Sequence, residues 1–146
     1  MPSEELHFSS SAEETMALGA ALGRRLAPSQ VICLFGDLGA GKTTFVQGVA
    51  QGLCESEPLC DIQVVSPTYV YLNIYEGTTP LYHFDLYRFK TAYEFLEMGF
   101  DEYLYASGVC CIEWPERIAS LLQEPYIKVT LTHQRENTRQ IAIEFK

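Results

Sequence analysis

Positive charge is scarce in this sequence. Ten Lys and Arg stand against 19 Asp and Glu, a formal net charge of -9, and apart from Arg24-Arg25 the basic residues are scattered. A chain that bound DNA or RNA by itself would draw most of its affinity from a clustered basic face. Autonomous nucleic-acid binding, DNA included, is therefore not expected, and a protein partner is. No apolar stretch approaches the roughly 20 residues of a membrane span. Met1-Pro2-Ser3-Glu4-Glu5 also lacks the positive region and apolar run that begin a signal peptide. The expectation is a cytoplasmic chain that meets no membrane. C-x-x-C spacing is missing as well: the five cysteines are Cys33, Cys54, Cys60, Cys110 and Cys111, with Cys33, Cys110 and Cys111 inside apolar runs. Buried reduced thiols suit that pattern better than disulfides or zinc. Repeats, linkers and low-complexity tracts are lacking too, so the 146 residues, 47% of them hydrophobic, read as a single domain over 1–146.

What is present reads as alternating helices and strands. Ser11-Ala12-Glu13-Glu14 has the form of a capping box, and Met16, Leu18, Leu22 and Leu26 follow at roughly helical spacing, which predicts a helix over 12–26. Val31-Ile32-Cys33-Leu34-Phe35 is a continuous apolar run, as in a strand covered on both faces. A loop and a helix to about Leu53 come next. After a polar stretch at 54–63, residues 69–75 and 81–85 read as an antiparallel strand pair around Glu76-Gly77. Short helices are expected over 92–98 and 101–105, a strand over 109–112, a helix from Pro115 through Leu122, and a terminal hairpin of 127–132 with 140–145. The sheet is thus mixed.

Between the apolar strand and the second helix stands Gly36-Asp37-Leu38-Gly39-Ala40-Gly41-Lys42-Thr43, the pattern G-x-x-x-x-G-K-[ST]. Chance would supply that pattern in a chain of this length with a probability on the order of one half per cent. Its position between strand and helix is the one the chemistry requires. Glycines let backbone N–H groups curl around phosphates, and the helix N-terminus adds its positive dipole end. Lys42 is placed to reach the β- and γ-phosphates, Thr43 to ligate Mg²⁺, and Thr44 to contact the α-phosphate. The plain alternative is a glycine-rich turn with an exposed lysine. The expected ligands are ATP and Mg²⁺, although no Asn-Lys-x-Asp guanine-reading motif and no adenine-reading motif is present.

A phosphate loop needs an acid at the end of a neighbouring strand to hold the metal or its waters. Asp85 and Glu113 both end apolar strands at the edge where open α/β sheets present ligands, and the spacing does not choose between them. Ser66-Pro67-Thr68 has a hydroxyl-bearing sequence suited to sensing a γ-phosphate, or is a proline turn. Arg88 is read as an ion-pair partner before a transition-state donor. His83 reads as a satisfied core histidine and Trp114 as a core or interface anchor. The numerous tyrosines can roof the sheet with their hydroxyls in water.

The phosphate loop through Thr44-Phe45, together with Ser66-Pro67-Thr68-Tyr69, His83-Phe84-Asp85-Leu86-Tyr87-Arg88 and Ile112-Glu113-Trp114, resembles the bacterial TsaE (YjeE) family in order and spacing across nearly the whole chain. The resemblance implies a P-loop NTPase-like three-layer α/β fold, a mixed sheet with a parallel core and antiparallel additions. It also implies an ATPase required for the threonylcarbamoyl modification of the adenosine next to the anticodon. Such an ATPase acts on the TsaD-TsaB complex, meets tRNA only indirectly, and does not transfer the group itself. By motif, Thr43 and Glu113 resemble Mg²⁺ ligands, Asp85 a second metal-site or water-positioning acid, and Ser66, Pro67, Thr68 and Tyr69 a switch. Adenine contacts would fall near Ser11, Ala12 and Arg139. Two departures stand out: a longer loop at 54–60, which bears on the partner surface, and a short ending after Phe145. The rival readings are a small-molecule kinase, which would need an acceptor pocket and a mobile lid commonly rich in arginine that the sequence does not display, and a nucleotide-dependent binding switch with negligible hydrolysis.

Overall fold

Backbone pairing rather than an apolar face makes the first element, a strand over Glu4–Ser9 (β1). It runs antiparallel to the last strand with Glu4 opposite Glu144 and Ser9 opposite Arg139, while its apolar residues Leu6 and Phe8 stay exposed. No strand is expected there from the sequence, because the usual apolar-in alternation is reversed. The computed structural model describes residues 3–37, 39–55 and 71–146.

Ala12–Gly23 forms the first helix (α1), started by the Ser11 hydroxyl accepting the Glu14 N–H. The Glu14 carboxylate reaches back to the N–H and hydroxyl of Ser10, one residue before the cap. The helix ends three residues short of the expected Leu26, since Arg25 and Leu26 bond in turns to Leu22 and Gly23. Then come Val31–Phe35 (β2), Lys42–Cys54 (α2), Leu72–Tyr75 (β3) and Leu81–Asp85 (β4), followed by Ala92–Glu97 (α3). The segments expected as helices near 101–105 and 115–122 are instead 3-10 turns at Phe100–Tyr103 and Pro115–Leu121, the second broken by a non-helical Ile118. Val109–Glu113 (β5), Ile127–Arg135 (β6) and Thr138–Phe145 (β7) complete the described elements.

The strands lie in one sheet in the order β1-β7-β6-β2-β5-β4-β3. Strands β6, β2, β5 and β4 pair in parallel, while β3, β7 and β1 are added antiparallel at the two edges. The fold is therefore α/β with a mixed sheet and a parallel core, as expected. Alternation along the strands divides the core in two. Ile32, Leu34, Val109 and Cys111 pack with Phe45, Val46 and Val49 beneath α1 and α2. Val31, Cys33, Phe84 and Ile112 pack with Phe95 and Ile118 on the other face.

The two helices of the first layer touch backbone to backbone. A Cβ on Gly48 would lie 2.1 Å from the Met16 carbonyl oxygen, and one on Gly52 2.1 Å from that of Ala20. Glycines at four-residue spacing on both helices allow this approach, which holds α2 against the sheet. Cys33, Cys54, Cys110 and Cys111 are free and buried, in line with the sequence. Burial pushes the Cys33 and Cys110 thiols up to about 12.

Candidate nucleotide site

β2 delivers the chain to the C-terminal edge of the sheet, where Gly36 turns it back at φ 150° and Gly39 and Gly41 take φ 79° and 103°. A Cβ at Gly36 would meet the Leu131 carbonyl oxygen at 2.7 Å, so the strand to its side allows nothing larger there. Gly41 is the N-cap of α2 and brings no side-chain acceptor to the helix start. The first-turn N–H groups are thus available to an anion, with the helix dipole behind them.

Lys42 is buried. Its Nζ donates to the Gly36 carbonyl at 2.6 Å and lies 3.7 Å from the centroid of the Trp114 ring. Burial lowers its pKa, against the pull of Glu113, Glu116, Asp85 and Asp37, in that order. An ammonium has three donors, so the bond to Gly36 leaves two for a ligand.

The acids arrive by parity. In parallel register Asp85 stands beside Glu113 and His83 beside Cys111, and the odd-numbered residues of β4 and β5 face α2. Glu113 is 4% exposed and Asp85 7%. The Thr43 hydroxyl, in the first turn of α2, lies 3.3 Å and 3.5 Å from the two Glu113 oxygens. Burial raises the pKa of Asp85, while the Tyr87 N–H bonded to its Oδ1 at 3.0 Å pulls the other way. A cavity of about 380 Å³ opens over this group, walled by Lys42, Thr43, Asp85, Arg88, Glu113 and Trp114.

Gly36, Gly39, Ala40, Gly41, Lys42, Thr43, Thr44, Asp85 and Glu113 therefore gather at one edge, with Asp37 exposed beside them. Arg139 joins them from β7: its Nε donates to the Ala40 carbonyl at 2.8 Å and its Nη2 to that of Gly39 at 3.2 Å. These bonds tie the terminal hairpin to the phosphate loop. Ser11 does not line the cavity; its hydroxyl caps α1, with Ala12 as the first residue of that helix. Leu38 and Ser66, Pro67, Thr68 and Tyr69 lie outside the described residues.

Two members went unread in the sequence. His83 is a buried histidine as expected, but its Nε2 is 2.6 Å from Glu113 Oε2, inside the site. Its even spacing from Asp85 was the available signal. Trp114 is half-buried at φ 61°, with Lys42 over its ring and Arg117 5.7 Å from the same centroid. Its adjacency to Glu113 hinted at this place. Among the described residues no three His, Cys, Asp or Glu gather into a metal-holding group, and no helix is long and apolar enough to cross a membrane.

The sequence pattern of the family described as threonylcarbamoyl adenosine biosynthesis protein TsaE matches residues 9–141. A Treponema pallidum protein named tRNA threonylcarbamoyladenosine biosynthesis protein TsaE is 40% identical over 135 residues, covering 92% of this chain and 96% of its own. A Nostoc protein of the same name is 43% identical over 141 residues, covering 93% and 83%. The crystal structure of YdiB from Bacillus subtilis superposes with a TM-score of 0.81 at 31% identity, covering 99% of this chain and 87% of that one. A match that runs from the end of β1 into β7 and takes in the loop, both acids and the whole parallel core means that this chain belongs to the TsaE family.

Proposed function

We propose that this chain is a Mg²⁺-dependent ATPase that serves the threonylcarbamoyladenosine modification of tRNA by acting on the TsaD-TsaB complex, without transferring the threonylcarbamoyl group itself. The observation that carries the reading is the meeting of Lys42 and Thr43, at an uncapped helix start, with Asp85 and Glu113 at adjoining strand ends. Family membership supplies the pathway, since the relatives are named for it.

Backbone N–H groups of the loop and of the first turn of α2 bind the phosphate oxygens, and Lys42 turns its remaining donors to the β- and γ-phosphates. Thr44, next along the helix, meets the α-phosphate. The donor set fits Mg²⁺. That ion takes one or two carboxylates, substrate phosphates and waters rather than an all-protein cage, and Thr43 with the buried Glu113 is such a partial set. Thr43 and Glu113 would hold the ion, which when bound neutralises charge on the phosphates. Asp85 orients the attacking water beside it. Arg139 keeps the carbonyls of Gly39 and Ala40 turned away from the phosphates, so that the N–H groups face them. Ser66 to Tyr69 are proposed as the switch segment, and Arg139, which lines the cavity, as the residue nearest the base.

Release of inorganic phosphate from ATP by the purified chain, followed with and without Mg²⁺, tests the reading. Phosphate appearing only with Mg²⁺ supports it. Transfer of the γ-phosphate to an added small molecule, with none released to water, would favour a kinase. Nucleotide binding without turnover, even with TsaD-TsaB present, would favour a binding switch.

A further inference from the structure

His83 lies in β4 with no exposed surface, between Tyr82 and Phe84, on the side that faces α2. An imidazole in such a place loses its hydration, and an aliphatic side chain would fill the volume without that cost. Its polar contact among the described residues is with a single group: Nε2 stands 2.6 Å from Glu113 Oε2, closer than Thr43 approaches either oxygen. Among the described residues Nδ1 meets no partner. An N–H at Nε2 donating to the carboxylate, which when ionised only accepts, satisfies this geometry. The contact gives Glu113 a hydrogen bond within a cluster where Lys42 already faces both acids.

Glu113 needs such a partner. It is the last residue of β5, its carboxylate hangs on three rotatable bonds, and Trp114 follows in a left-handed turn. We infer that His83 is a positioning residue: by donating from Nε2 it fixes the rotation of the Glu113 carboxylate and keeps both oxygens within 3.5 Å of Thr43 Oγ1. Histidine and carboxylate here play the roles of outer partner and ligand that recur around metal sites. The inference rests on the reading of Glu113 as the acid of the Mg²⁺ position.

The test uses binding of a fluorescent ATP analogue, first in EDTA and then across a Mg²⁺ titration, with melting temperatures recorded for every variant. His83→Leu removes the donor, whereas His83→Gln places an amide nitrogen near the position of Nε2. Affinity in EDTA is expected to stay at the wild-type level in both. His83→Leu is expected to need about 10- to 100-fold more Mg²⁺ for half of the metal-dependent gain, and His83→Gln to recover most of it. Wild-type Mg²⁺ dependence in His83→Leu, beside an impaired Glu113→Ala, overturns the positioning role. A wild-type Mg²⁺ dependence in Glu113→Ala strikes the underlying reading of that acid instead. Should His83→Leu fail to fold, His83→Gln is compared with His83→Asn, whose amide nitrogen falls near Nδ1. A higher Mg²⁺ requirement in His83→Asn than in His83→Gln supports the role, and superposable curves for the two overturn it.

Discussion

Three side chains at the loop divide the work by charge. Lys42 is held by Gly36 and Trp114 and faces two carboxylates, so Lys42→Ala removes a cation from a site left with a surplus of negative charge. A hydrogen bond involving a charged group is worth about 1.5–3 kcal/mol, which converts to a loss of about 10- to 100-fold in ATP affinity. Calorimetric titration checks this, and an unchanged affinity would remove the phosphate-loop assignment. Glu113→Ala and Asp85→Ala are expected to separate. Of the two acids Glu113 is the one hydrogen-bonded by Thr43, so its loss should raise the Mg²⁺ requirement, while loss of Asp85 should mainly lower the rate. Mg²⁺ titrations of phosphate release in both variants decide, and curves overlying the wild type would exclude both acids. Away from the site, burial raises the Cys111 thiol well above its ordinary value, as it does Cys33 and Cys110. Iodoacetamide at pH 8 is expected to leave these three unmodified in the folded chain and to alkylate them after denaturation, with peptide mass spectrometry as the readout; the thiolate that reacts is scarce at that pH.

Among the elements, the pair α1 and α2 determines how firmly the loop is seated. Gly19 and Gly23 on one helix and Gly48 and Gly52 on the other leave no room for a methyl group against the facing carbonyls. Gly48→Ala is expected to cost about 1–3 kcal/mol through overpacking, despite alanine's better helix propensity. The melting temperature should fall by about 2–4 °C for each kcal/mol in a chain of this size. A rise in melting temperature would show that the helices part without cost. On the opposite side of the loop, β7 carries Arg139 to the carbonyls of Gly39 and Ala40. The phosphate loop is thus braced by a neighbouring helix and by an antiparallel hairpin distant in sequence.

For the whole molecule, net charge governs what can approach. A surplus of nine negative charges weakens encounter with a polyanion. The proposed ATP hydrolysis is therefore expected to be slow alone, unaffected by bare tRNA and accelerated by TsaD-TsaB. Docking can position Arg88 or supply a partner arginine. A supplied arginine is worth about 10³ to 10⁵ in rate in other phosphate-loop enzymes, and a smaller gain is expected here. Steady-state phosphate release would be compared for the chain alone, with tRNA, with TsaD-TsaB, and with both. Equal stimulation by tRNA and by the protein complex, or full activity in isolation, would contradict partner gating.

Local pattern was enough to read β2, the phosphate loop, α2 and the strand ends bearing Asp85 and Glu113, because each is written in a motif or in a periodicity of a few residues. The antiparallel β3–β4 pair and the terminal hairpin were legible for the same reason, through their turn residues and alternation. Strand β1 was not, since it is held by backbone bonds to β7 while Leu6 and Phe8 face solvent, and backbone bonds leave no side-chain signature. The 3-10 turns replaced expected helices where short segments pack on the aromatic face, tertiary contact overriding weak propensity. The closing of the site itself belongs to long-range pairing. Only the neighbouring of β4 and β5 sets Asp85 beside Glu113 and turns His83 from a core histidine into a partner of that acid. Only the return of β7 brings Arg139 to the loop almost 100 residues before it, because strand order is chosen by the burial of whole faces and not by anything a short stretch of sequence contains.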